Sequence, residues 1–195
     1  MTIKKSNNST TSFNRNYFLM MLLLISGILL TNGQTVAQEK NMLVNGNFAD
    51  GIKNWVVEQN GDATCQTDFV KEGPGGIPAL RLKVLTIADK AWKIQFYQTG
   101  PKIEKGKTYD LTFWAKSDRT SNIKVLCAMN HDPWEHGTGE LFPLSTEWQQ
   151  IHFIFVAPWT DDNMRITFTD LGNAVGQNYW LANCSLISKY GVNNN

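Results

Sequence analysis

The sequence predicts an all-β protein, an antiparallel sandwich or barrel, on three observations. Apolar and polar residues alternate with period two in one segment after another, turn-forming clusters separate those segments, and no stretch carries a long capped helical stripe. The alternation runs in order through residues 80–84, 92–97, 109–113, 123–125, 151–155 and 164–168. Between them stand Gly73-Pro74-Gly75-Gly76, Glu104-Lys105-Gly106-Lys107 and Asp161-Asp162-Asn163, whose glycines, proline and short polar side chains suit tight turns. Strands of this length each bury one face, so they need a facing sheet to form a core.

Composition narrows the function. The chain has 195 residues with 18 Lys and Arg against 17 Asp and Glu, a formal charge of +1, which argues against a nucleic-acid partner. Hydrophobic residues at 42% and aromatics at 11% supply a globular core. Lys4, Lys5 and Arg15 precede an apolar run over 18–30, and Thr35-Val36-Ala37 follows as a small-residue cleavage site. The run is shorter than the ~20 residues that cross a bilayer as a helix. Residues 1–37 therefore read as a signal peptide, 38–190 as one domain with no membrane span after cleavage, and 191–195 as a frayed tail. The product is expected to be secreted, periplasmic or at the cell surface.

Cys65, Cys127 and Cys184 make an odd count with no close pairs, so neither a disulfide framework nor a zinc site is indicated, and buried thiols are expected. All seven tryptophans follow residue 37, more aromatic surface than one core of this size hides, and some are expected to face a ligand.

Strand parity separates core from surface. In 92–97, Trp92, Ile94 and Phe96 share one face and Lys93, Gln95 and Tyr97 the other; in 164–169, Met164, Ile166 and Phe168 oppose Arg165, Thr167 and Thr169. The first set of each pair reads as core. The second set of the earlier strand joins a cation, an amide and an aromatic ring, which suits a sugar with its apolar ring face and its hydroxyls. A polar outer face also suits plain solvation.

The run Asn45-Gly46-Asn47-Phe48-Ala49-Asp50-Gly51, followed by Trp55, resembles the opening of the carbohydrate-binding modules of families 4 and 9 and the related family 22. Gly106-Lys107-Thr108-Tyr109-Asp110-Leu111-Thr112-Phe113-Trp114-Ala115-Lys116 resembles their "G-K-T-Y-x-L-S-F-W-A-K" strand. Thr146-Glu147-Trp148 resembles the start of a later strand, and Leu181-Ala182-Asn183-Cys184-Ser185-Leu186 the closing "I-D-N-V-S-L". The likeness implies a two-sheet antiparallel β-sandwich, a galactose-binding-like jelly roll, with a concave sheet that binds polysaccharide such as β-glucan or xylan without cutting it. It places the cleft at Gln95, Tyr97 and Thr99, at Asn130 and Trp134, and at Arg165 and Thr169. Lys93 joins them from strand parity, and Arg165 with Lys93 would also suit a uronic-acid polymer.

The likeness puts Trp55 and Trp148 in the core. No cofactor is required. A structural calcium is implied at Asp50 and Asn183, although Ala182 replaces the family's aspartate. A monomer is expected.

Two other readings stay open. His131-Asp132-Pro133-Trp134-Glu135-His136 holds two imidazoles and two carboxyls, enough for a small secreted lyase or hydrolase, or equally for the rim of a binding site. An adhesion module meeting another protein through its aromatics is the second. Trp114 faces away from Leu111 and Phe113, either into the cleft or under a loop, and Trp159 stands in a loop as a rim platform or a packed ring. No strand face carries paired carboxylates, and no nucleophile elbow or phosphate-binding loop occurs.

Overall fold

The computed structural model describes residues 39–189; the expected signal peptide and the tail lie outside them. Ten strands form two five-stranded antiparallel sheets. They are β1 (Val56–Gln59), β2 (Thr64–Val70), β3 (Ala79–Thr86), β4 (Ile94–Thr99), β5 (Thr108–Ser117), β6 (Ser121–Met129), β7 (His136–Leu144), β8 (Gln149–Val156), β9 (Met164–Thr169) and β10 (Asn178–Lys189). One sheet has the order β1-β4-β9-β6-β7 and the other β2-β3-β10-β5-β8. This is the expected sandwich, and no described helix is long and apolar enough to cross a membrane.

Aromatic rings fill the space between the sheets. Trp55 is buried as expected and stacks on Phe96 with ring centroids 4.7 Å apart, while Phe113 of β5 meets Phe168 of β9 edge-on at 5.0 Å. The opening and closing motifs meet as well. Cys184 donates its N–H to the Gly46 carbonyl at 2.8 Å, and a Cβ on Gly46 would lie 1.9 Å from the Cys184 oxygen, so only glycine fits. All three cysteines are free; Cys127 and Cys184 are buried, and burial pushes their thiols up, that of Cys127 to about 12.

Two expectations about tryptophan are corrected. Ala91–Lys93 is a 3-10 turn, so the strand starts at Ile94 and parity does not reach back to Trp92, which is 46% exposed instead of buried. Trp148 is only partly buried and donates its indole N–H to the Glu72 carbonyl at 2.9 Å, so it belongs to the outer surface. Residues 137–139 belong to β7, an edge strand whose Gly137 lies under Trp159 and whose Gly139 lies under Leu126. Trp159 is thus a packed ring. Trp114 lies on the second sheet's outer face, opposite Ala182 and Gln150, away from the first sheet.

Candidate functional site

Register arranges the outer side chains of the first sheet in rows across the strands. Glu58 lies opposite Gln95, Lys124 opposite Thr169, and one further step of the β4–β9 register brings Gln95 beside Thr169. The next row is Tyr97, Thr167 and Leu126; the third is Thr99, Arg165, Ala128 and His136. All of these residues but Thr99, Thr167 and Ala128 line a cleft of about 620 Å³. Trp92 borders it where β4 begins, and Trp134, 54% exposed, where β6 ends.

The expected residues divide. Gln95, Tyr97, Asn130, Trp134, Arg165 and Thr169 all line this cleft. Lys93 does not: the 3-10 turn directs its ammonium to Asp89, 2.7 Å away, and against Gly61. Thr99 is also absent from the lining. His136, of the run expected as catalytic or as a rim, joins the lining, and Glu58, Trp92, Lys124, Leu126 and Asp170 join it without having been anticipated. Parity in β6 pairs Lys124 with Leu126 and would have found both; Trp92 was hidden by the turn.

Arg165 stands against two cleft neighbours, Tyr97 and Glu58. Its guanidinium carbon lies 5.0 Å from the Tyr97 ring centroid, and Nη1 is 3.7 Å from Glu58 Oε2. Glu58 Oε1 accepts the Asn60 amide N–H at 2.6 Å. The Arg165 side chain is 13% exposed, and its buried Nε has no hydrogen-bond partner among the described residues, an unmet donor at the cleft wall.

The run 131–136 does not converge on one centre. His136 faces the cleft, whereas His131 lines a separate depression with Lys102 and Asp161. His131 Nδ1 lies 2.8 Å from the Asp132 carbonyl and Nε2 3.1 Å from Asp161 Oδ2. Two acceptors favour the imidazolium, and the Asp132 carbonyl first, then Asp161, raises the His131 pKa. This contact ties down the turn that carries Trp134, whose N–H bonds the His131 carbonyl at 2.7 Å and whose φ of 61° is costly for a bulky residue.

The implied calcium residues fit the ion poorly. Asp50 and Asn183 are exposed. Asn45 Nδ2 sits within 3.0 Å of the Gly51 and Lys53 carbonyls, and Asn41 Nδ2 3.0 Å from that of Cys184, so amides stand where a cation would gather oxygens. No cluster of three or more His, Cys, Asp or Glu suited to a metal occurs among the described residues.

Fold and cleft together define a β-sandwich binding module. The chain belongs to the carbohydrate-binding domain family 4/9, whose family model matches residues 40–170. It is similar to a solved CBM4 structure at 26% identity, over 75% of this chain and 99% of that one, with a TM-score of 0.63. The two N-terminal cellulose-binding domains of Cellulomonas fimi β-1,4-glucanase C share the fold. The first is 22% identical, over 76% of this chain and 97% of its own, with a TM-score of 0.56; the second is 17% identical, over 80% and 98%, at 0.60. No curated protein sequence matches the chain.

Proposed function

We propose that this protein is an exported, monomeric, non-catalytic module that binds a neutral polysaccharide chain, of the β-glucan or xylan class, in the cleft of the first sheet. The observation that carries this reading is the pair of exposed rings, Trp92 and Trp134, bordering one cleft between whose ends Gln95, Asn130 and Thr169 supply amides and a hydroxyl. Indole faces stack on the C–H faces of sugars, and the polar groups answer the hydroxyls. Membership of a carbohydrate-binding family supports it, as do fold neighbours described as cellulose-binding domains.

Charge favours a neutral glycan over a uronic-acid polymer. The Arg165 cation is answered by Glu58 and Lys93 by Asp89, and the cleft's acidic Glu58 and Asp170 balance Lys124 and Arg165. Both Glu58 carboxyl oxygens face partners within the fold, Oε1 the Asn60 amide and Oε2 Arg165.

Affinity electrophoresis of the purified protein through gels containing mixed-linkage β-glucan, xylan or pectin tests this. Retardation by a neutral polymer, with no new reducing ends released, is expected. Free migration in every gel would overturn the reading, and release of reducing ends would overturn its non-catalytic part.

A further inference from the structure

The cleft does not stop at Trp92. A second groove of about 560 Å³ adjoins it, and Trp92 and Asp170 line both. Its walls come from the segment before β4, the turn before β6 with that strand's first residues Ser121 and Asn122, Leu141 of β7, and the connection from β9 to β10, so it lies at the Trp92 end of the strands that carry the cleft. There Arg119, Thr120, Asn122 and Asn173 contribute donors and acceptors, and buried Gln177 is fixed by its amide N–H to Ser117 Oγ at 3.2 Å. Its chemistry is of the cleft's kind: one indole, amides at Asn122, Asn173 and Gln177, hydroxyls at Thr120 and Ser121, the cations Lys90 and Arg119, the latter 3.1 Å from Asp118, and Asp170 shared with the cleft.

Direction matters as well. Trp134 follows the end of β6, whereas Trp92 precedes β4, which runs antiparallel to β9 as β9 does to β6. The two rings therefore mark opposite ends of the strand axis. Lys124 to Met129 alone spans about 16 Å of β6 at the usual rise per residue. A ligand touching both rings must run along the strands, and its continuation past Trp92 enters the second groove.

Resting on the glycan-binding reading above, we propose that one linear polysaccharide chain runs along the strands from Trp134 to Trp92 and on into the groove walled by Arg119, Asn122 and Asn173, which supplies a further set of subsites. The shared Trp92 ring is the junction, and its 46% exposure is explained by a sugar packing at the point where the two concavities meet.

Calorimetric titration of the full protein with linear β-glucan and xylan oligosaccharides of increasing length tests this. In the wild type, affinity should keep rising after the cleft is filled. The double variant Arg119→Ala/Asn122→Ala, altered only at the surface of the groove, should bind short oligosaccharides as the wild type does and lose roughly 10-fold on long ones, the scale of one or two lost polar contacts. Trp92→Ala should weaken the long ligands most. Short-ligand binding with unchanged long-ligand affinity in the double variant, or a wild-type affinity that stops rising at cleft length, would overturn the extension and leave the cleft standing. No binding at any length would remove the cleft reading and the extension with it.

Discussion

The outer faces of the two sheets both carry tryptophan, and they use it differently. On the second sheet, Lys116 Nζ lies 4.8 Å from the Trp180 ring centroid and 5.3 Å from that of Trp148, whose N–H is taken by Glu72. In the same row Arg81 pairs with Asp68, Nε to Oδ1 at 2.9 Å. Further along the face, buried Asp110 is met by Lys189 at 2.9 Å and His152 at 3.3 Å. Every charge named there has a protein partner, and two of the rings share a cation. On the first sheet, Trp92 and Trp134 have no ring or cation partner among the described residues, and Arg165 keeps a buried donor unmet. The second face leaves a buried donor unmet as well, the Trp180 indole N–H, so the two faces differ in their rings: Trp148 and Trp180 share a cation within the fold, whereas Trp92 and Trp134 stand open at the cleft.

Substitutions should separate the two faces. Trp180→Ala removes a partly buried ring from the closed face and is expected to cost roughly 2 kcal/mol of stability, about half the value for a fully buried tryptophan, with glycan affinity unchanged. Denaturant unfolding beside calorimetry measures both; an affinity loss would break the comparison.

Lys116→Ala removes the shared cation and should cost ~0.5–1 kcal/mol of stability, again without effect on binding. A stability unchanged in chemical denaturation would show that the cation contributes nothing between the rings.

The smallest effect concerns His131, which sits under the turn carrying Trp134. Its folded pKa is raised above the ordinary 6.5 by the Asp132 carbonyl and then Asp161. The stability it contributes is therefore fully present below the unfolded pKa and lost as pH rises through the folded value. The melting temperatures of wild type and His131→Ala should differ at acidic pH and converge in alkali; divergence with rising pH would show that the fold lowers the His131 pKa instead of raising it.

Much of the fold was legible because half-buried strands write their period into the sequence. Those with clear alternation, 109–113 and 151–155, lie in β5 and β8. β1 and β7 were not legible: Val56 and Val57 are adjacent on a four-residue edge strand, and β7 opens His136-Gly137-Thr138-Gly139, where glycines make room for Trp159 and Leu126. Six of the eight expected ligand-binding residues converge on the cleft, Lys93 and Thr99 being the exceptions, since parity and the family motifs select the same outward positions. Lys93 and Trp92 exchanged roles because a 3-10 turn rotates them out of strand register, which alternation cannot register. Trp148 matched a family position but packs outside, against Lys116 and Glu72, and only three-dimensional contacts reveal that.

Titrating Trp134→Ala and Trp148→Ala with the polymer that retards the wild type decides which sheet binds. Trp134→Ala should lose ~1–3 kcal/mol of binding free energy with its melting temperature little changed, while Trp148→Ala should bind as the wild type. Full affinity in Trp134→Ala, or a loss confined to Trp148→Ala, would contradict binding by the first sheet and move the binding face to the other sheet.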